Sequence, residues 1–294
     1  MRLASFYNQT VKFGIERDPR VKKSGIKSYQ DTAILYGDPD IEIRKIMVGI
    51  DIEVAELLLA DRIRQQQGLD LVLAHHPQGS AWAQFYRVMQ LQVDMLSRVG
   101  LLKKVAQELL NERMREVERR VLANNHMRSV DAARILDMPF MCVHTPADNH
   151  VAQFLKIIFD KERPKRVENI VELLNEVPEY KQAGQDNAGP RVILGNPKRS
   201  AGEIFLEMTG GTEGPKEVFD KLSKLGIRTL VSMHLSEEHF KKVRDANLNV
   251  VIAGHISSDT LGLNLLLDRI EKSAGEKLTV INCSGFRRIS RNNQ

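Results

Sequence analysis

Ile46-Met47-Val48-Gly49-Ile50-Asp51 is an apolar run that stops at an acid, and Leu69-Asp70-Leu71-Val72-Leu73-Ala74-His75-His76-Pro77 is a second run that stops at two imidazoles. Between them lies an amphipathic stretch over residues 54–64, closed by Gly68. A helical pattern flanked by short apolar runs, with glycine where a helix C-cap is needed, spells strand, helix, strand. Nearly continuous apolar runs suit parallel strands buried on both faces. The same order recurs downstream. Residues 204–208 are apolar, a helical pattern covers 214–224, Gly226 follows, and the run 227–233 stops at His234. This repeat predicts an α/β chain of two related lobes with mainly parallel sheets flanked by helices.

Working outward, a tract over 81–122 is dense in Glu, Arg, Gln, Leu and Met, all good helix formers. Leu102, Val105, Leu109 and Val117 mark an apolar stripe. Glu108, Glu112 and Glu116 form an acidic row beside Arg113, Arg115, Arg119 and Arg120, which reads as a solvated face. A helix over 129–136, capped by Ser129, leads into a strand over 139–143 that stops at His144. Residues 179–199 crowd together Gly184, Asn187, Gly189, Pro190, Gly195 and Pro197 and read as a linker or mobile loop. Helices over 221–225 and 237–246, a strand over 250–253, a helix over 261–274 and a strand over 278–283 complete the pattern. The basic tail 287–294 reads as frayed. The expected division is 1–165 for the first lobe, with a helical insertion at about 81–122, and 166–294 for the second.

Composition narrows the class. With 42% hydrophobic and 28% charged residues, the chain can bury real cores and stay soluble. No run of about 18 apolar residues exists, so no membrane span is expected. The first residues lack the apolar core of a secretory signal. Cys142 and Cys283 stand far apart without CxxC spacing, which argues against a disulfide framework or a thiolate zinc knot and fits a cytoplasmic location. The balance of 43 basic against 38 acidic residues, net +5, favours anionic partners without establishing nucleic-acid binding.

Three strand ends carry ligand-type side chains: Ala74-His75-His76-Pro77, Val143-His144-Thr145-Pro146-Ala147-Asp148, and Gly254-His255-Ile256-Ser257-Ser258-Asp259. Ligands collect beyond the carboxyl ends of strands in open α/β sheets. Imidazole and carboxylate are ligands for divalent ions. Consecutive side chains of an extended segment point opposite ways, so His75 and His76 suit two neighbouring ions, unless the bend that Pro77 favours brings them together. The four-residue offsets 144–148 and 255–259 align each pair on one helical turn or in a tight loop. A carboxylate bridging two cations is the usual dinuclear arrangement. A single strand-end histidine is more often structural. The repeated coincidence of strand, histidine and carboxylate carries the reading. His126, His150 and His239, in helical or loop contexts, read as structural.

At these residues the sequence resembles the Nif-three-like family, often labelled GTP cyclohydrolase I type 2. The resemblance covers residues 46–77, recurs at His144-Thr145-Pro146-Ala147-Asp148, closes at Ala253-Gly254-His255 with an acid four residues on, and has a weaker echo at 31–37. It implies a two-lobed α/β fold with a dinuclear metal site in the cleft between the lobes. It also implies the ligands His75, His76, Asp148, His255 and Asp259, the last two from the C-terminal part, and homo-oligomers as ring-like hexamers. The family usually has Glu where this chain has Asp259, so the carboxylate is one methylene shorter and could either still bind after a small backbone shift or bind one ion where Glu would bridge two. The tract 81–122 has no counterpart in the resemblance and reads as a lid, an oligomer contact or a substrate element. His144 is expected beside the ligands, orienting Asp148 or donating to a substrate oxygen. His234 repeats His75 and either faces the same cleft or caps a strand.

Two functions follow. The first is a metal-dependent hydrolase of a small phosphorylated or nucleotide-like substrate, with two divalent ions drawn from Zn, Mn, Fe, Co or Mg and with Asp51 or His144 as general acid or base. Lys198 and Arg199 would hold phosphate. With aromatics at 5% and Trp82 the one tryptophan, no stacking platform for a guanine stands out, though Tyr36, Phe85 and Tyr86 are candidates. The alternative is a metal-containing binding or regulatory protein for nucleic acid or a protein partner, motivated by basic clusters at 20–27, 161–166 and 287–291. A metal store has the same sequence signature.

Overall fold

The apolar runs fold as strands because helices cover both faces of each sheet. A computed structural model describes residues 1–292. In chain order these form α1 (Leu3–Arg17), β1 (Ala33–Tyr36), β2 (Lys45–Gly49), α2 (Val54–Gln67), β3 (Leu71–Ala74), α3 (Gly79–Ala83), a 3-10 helix (Phe85–Leu91), α4 (Gln92–Arg98), α5 (Lys103–Leu122), α6 (Arg128–Ile135) and β4 (Phe140–Cys142). There follow α7 (Thr145–Glu162), α8 (Val167–Asn175), α9 (Pro178–Gln185), β5 (Arg191–Leu194), β6 (Glu203–Glu207), a 3-10 turn (Lys216–Val218), α10 (Phe219–Lys224), β7 (Ile227–Ser232), α11 (Glu237–Asp245), β8 (Asn249–Ile252), α12 (His255–Ala274) and β9 (Thr279–Cys283). Among the described residues there are two sheets, of order β1-β4-β3-β2-β9 and β5-β8-β7-β6, parallel except for the edge strands β1 and β5. This is the mixed α/β architecture of two mainly parallel sheets expected from the repeat.

Alternation along the strands explains the double covering. In β2, Ile46 and Val48 join a core with Phe6 of α1 and Leu263 and Leu267 of α12, while Met47 joins Leu57 and Ala60 of α2 on the other face. In the second sheet, Val250 packs with α4 and α5 while Val251 packs with α7, α8 and α9. The repeat also reaches further than strand, helix, strand. Leu35-Tyr36-Gly37-Asp38-Pro39 and Ile193-Leu194-Gly195-Asn196-Pro197 turn equivalent corners after β1 and β5. Gly37 (φ +112°) and Gly195 (φ +95°) adopt a backbone open to glycine and strained for other residues.

Several expectations are corrected. Residues 179–199 are no linker: they hold most of α9 and the edge strand β5, and their glycines and prolines mark the corners around that strand. The 81–122 tract breaks at Gly100 (φ +98°). Its stripe on α5 is Ala106, Leu110, Arg113, Val117 and Val121, while Leu102 is 73% exposed, because Leu102 caps the helix rather than lying within it. The tract covers one face of the second sheet, packing on Phe205, Leu230 and Val250. Its acidic row is solvated as expected, Glu112 and Glu116 pairing with neighbouring arginines. Helix α6 is preceded by Met127, with Ser129 buried in its first turn. The tail is anchored, Arg288 pairing with Asp268 at 2.6 Å and Glu271 at 2.9 Å and Arg291 with buried Glu179 at 2.6 Å. Residues 293–294 of that expected frayed tail lie outside the described residues. Strand β9 returns to the first sheet beside β2. A cut at residue 165 thus leaves β9 apart from the sheet it completes and the 81–122 tract apart from the sheet it covers. No helix among the described residues is long and apolar enough to cross a membrane.

Helices α7 and α12 follow the equivalent strands β4 and β8 and pack directly on one another. Gly262 makes this approach possible: a Cβ there would lie 2.6 Å from the Ala147 carbonyl oxygen and 2.9 Å from Val151 Cγ2. Gly262→Ala is expected to force the helices apart, cost about 1–3 kcal/mol in urea unfolding and weaken divalent-ion uptake, since Asp148 and Asp259 flank the contact. An unchanged unfolding midpoint would refute the tight contact.

Candidate metal centre

Beyond Ala74 the chain bends. The amides of His75 and His76 both donate to the neighbouring segment, to Gly49 O at 2.9 Å and Ile50 O at 3.0 Å, which consecutive residues of a regular parallel strand do not do. The bend brings both rings into one cleft, with centroids 5.4 Å apart. His75 Nδ1 donates to Val143 O at 3.0 Å, and His76 Nδ1 donates to Asp51 Oδ1 at 2.6 Å. A carbonyl and a carboxylate only accept, so the proton sits on Nδ1 in both rings and each Nε2 is left to face the cleft. Helix α7 starts with Thr145-Pro146, proline being favoured at a helix start, and carries Asp148 on its first turn. Helix α12 starts at His255, six residues before the expected position, after Gly254 at φ +110°. The 255–259 offset is therefore one helical turn.

These elements converge on Asp259. Its Oδ1 lies 3.5 Å from His75 Nε2, which is 3.4 Å from Asp148 Oδ1. Its Oδ2 lies 3.4 Å from His76 Nε2 and 3.5 Å from His255 Nε2. Two three-donor groups result, His75–Asp148–Asp259 and His76–His255–Asp259, and one carboxylate spans both. The shorter side chain thus presents one oxygen to each group. Two donors each about 2.1 Å from a tetrahedral ion stand about 3.4 Å apart. His75 Nε2, Asp148 Oδ1 and both Asp259 oxygens are buried without a hydrogen-bond partner, a state that costs about 1–3 kcal/mol per group or more unless something satisfies it. Imidazole plus carboxylate without thiolate suits hard-to-borderline divalent ions. The residues fit the ions that the sequence suggested.

The electrostatics agree. Burial opposes charge on His75, but Asp259 and Asp148 raise its pKa to about 10. Burial likewise opposes charge on His76, whose pKa Asp259 and Asp51 raise to about 9. Burial works against ionisation of Asp259, yet His75 and His76 hold its carboxyl far below the usual range. His255 is pushed down to about 4 by burial, and by the neighbouring imidazoles against the pull of Asp259. The carboxylates call for positive charge, which protons or metal ions can supply.

Around this core, His144 donates Nδ1–H to the fully buried Asp31 at 2.9 Å, and the Thr145 hydroxyl donates to the same oxygen at 2.6 Å. His144 Nδ1 is 3.7 Å from Asp148, so its orienting partner is Asp31 and it does not hydrogen-bond the acid as expected. A ring nitrogen of His144 also groups with those of His75 and His76. Asp51, 58% exposed, holds His76. His234 does face the cleft, its ring 4.7 Å from that of His255, with Glu213 3.6 Å behind it. Phe85 meets His144 edge-on at 5.4 Å and stacks on Trp82 at 5.2 Å, an aromatic pair that residue counts hid. Tyr36 sits at the opposite end of the sheet, paired with Phe140. Lys198 and Arg199 follow the end of β5 that pairs with Val250, away from His255, because β5 is antiparallel to β8. They cannot hold phosphate at this site. His126, His150 and His239 bond to backbone carbonyls outside the cluster. Asp31, Thr145 and Glu213 were missed; the echo at 31–37 was the one sequence signal for Asp31.

No protein-family model and no curated protein matches the sequence. Among solved structures, the chain is similar to a NIF3 superfamily protein from Sphaerobacter thermophilus, with a TM-score of 0.77 and 26% identity over 95% of this chain and 98% of that one. Reduced HcgD from Methanocaldococcus jannaschii has a TM-score of 0.55 at 16% identity, covering 96% of this chain and 97% of that chain. Protein ybgI, described as of unknown function, has a TM-score of 0.54 at 12% identity, covering 96% and 98%. The last two share the fold.

Zinc or manganese titrated into chelator-treated protein is expected to raise its melting temperature, as any ligand of the folded state does. Asp259→Asn is expected to abolish retention at both groups. Asp51→Ala removes the support of His76 alone and is expected to weaken uptake about 10–100-fold. Calorimetry and elemental analysis measure both, and wild-type retention by Asp259→Asn would refute the shared carboxylate.

Proposed function

The chain is Nif-three-like in fold and motifs, and on that premise we propose that it holds two divalent metal ions and hydrolyses a small phosphorylated or nucleotide-like substrate. The observation that carries this reading is Asp259, whose two buried, unpartnered oxygens face separate donor groups. His75, Asp148 and Asp259 would hold one ion, and His76, His255 and Asp259 the other. Zn, Mn, Fe, Co and Mg all suit these donors. When bound, such ions polarise a phosphoryl or carbonyl oxygen and make water acidic enough to ionise near neutral pH.

The side chains around the ligands divide the remaining tasks. His144 is the proton carrier in this reading: Asp31 holds its Nδ1–H, which leaves Nε2 free to take a proton from the nucleophile or give one to a leaving group. Asp51, engaged with His76 Nδ1, keeps that ring aimed inward and is a positioning residue. Trp82, partly exposed and stacked on buried Phe85, whose edge meets His144, is the aromatic surface against which a base would pack. Guanine ring opening is one special case of this chemistry. The ring-like hexamer and other homo-oligomers belong to the proposal by family resemblance, and light scattering tests them.

Metal-reconstituted protein should be screened against phosphomonoesters and nucleotides. His75→Ala is expected to remove metal and turnover together, while His144→Ala lowers kcat about 10²–10⁴-fold with metal retained. Turnover that survives both chelation and His75→Ala would exclude the hydrolase.

A further inference from the structure

The basic segment 20–27 is not a plain solvated stripe. After α1 the chain loops back through residues 18–30 and forms, with the 3-10 helix Phe85–Leu91, a half-open pocket of about 420 Å³. Arg20, Lys22, Lys27 and Arg87 line it, and no carboxylate does. Buried Asp18 neutralises Arg20 through contacts of 2.9 and 2.7 Å and accepts the Tyr29 hydroxyl at 2.8 Å, which pins the loop. Lys22 and Lys27 have no ion pair among the described residues, and Arg87 meets the hydroxyl and ring of Tyr86. Elsewhere many cations are paired, as Lys156 is with Asp160 at 2.6 Å and Lys224 with Asp220 at 2.7 Å. With Lys22 and Lys27 unpaired among the described residues and Arg87 feeling Glu118 only from beyond ion-pair distance, the hollow stays net positive and raises the local concentration of anions.

Both walls of the pocket continue into the metal centre. Gln30 lines the pocket and precedes Asp31, which holds His144. Arg87 lies two residues after Phe85, whose ring meets His144. We propose that this pocket binds the phosphate or polyphosphate end of a small ligand whose remaining part extends towards His144. The placement of that remaining part rests on the hydrolase reading, whereas the anion site stands on its own residues. The pocket volume falls within the range of about 300–1,000 Å³ typical of small-molecule sites, which favours a compact anion over a nucleic-acid strand.

The test is calorimetric titration of pyrophosphate into the chelator-treated full chain, where bound metal contributes nothing. Saturable 1:1 binding is expected. Lys27→Ala/Arg87→Ala should weaken it at least tenfold, and Lys27→Glu/Arg87→Glu should abolish it, with melting temperature and metal uptake as in the wild type. Absence of saturable binding at millimolar pyrophosphate, or binding indifferent to these substitutions, overturns the proposal. So does a single-stranded oligonucleotide that displaces pyrophosphate from the same cations with steep salt dependence, which would assign the surface to nucleic acid. Pyrophosphate binding without hydrolysis of any phosphate ester would defeat the hydrolase reading alone. Hydrolysis without pyrophosphate binding would defeat the pocket alone.

Discussion

The centre depends on one backbone contact, the approach of α12 to α7 at Gly262 and Ala147. Asp148 follows Ala147, and Asp259 precedes Gly262 by nearly one turn. With a side chain at 262 the helices would separate, and the two carboxylates could not both stand within 3.5 Å of His75 Nε2. Helix packing therefore sets the distance between the two carboxylates, while the bend after β3 places the imidazoles of His75 and His76. Side chains on the first turns of packed helices keep such a distance better than side chains on loops do.

The two lobes share a strand path, and their equivalent helices each begin near a histidine with an acid four residues on. They have nonetheless diverged in what they contribute. The first lobe supplies His75 and His76 from a bend after β3. The second has the single His234 after β7, which turns to Glu213 on one side and His255 on the other. Glu213 is held down at about 2, against burial, by His234, His239 and Ser236. The second lobe thus sets an ion-pair cluster against one side of the centre, touching it through His234 and His255, while the first and the start of α12 provide its donors. The 81–122 tract serves both needs: it covers a sheet face through α4 and α5 and brings Phe85 to His144.

Much of this was legible before folding. Apolar runs, the glycines that close the two repeated helices (Gly68 and Gly226) and histidines at the strand ends marked the strands, their parallel pairing and the groups brought together. The errors have physical causes. Residues 179–199 resemble a linker because a short edge strand between glycine corners carries little hydrophobic signal. The tail looked frayed because its arginines meet Asp268, Glu271 and Glu179, which lie far away in sequence. Lys198 and Arg199 were placed at the wrong end of a sheet because nothing local reveals that β5 runs antiparallel.

By itself, the sequence determined the local periodicities, the donor types and the strand ends that bear them, since these follow from side-chain chemistry and from repeats of a few residues. Tertiary structure alone decided that both oxygens of Asp259 would be used, that Asp31 rather than Asp148 would hold His144, and that the basic segment after α1 would close on Arg87. Each of these pairs residues from different elements, and their distances are set by how the helices and sheets pack, a quantity that no local pattern encodes.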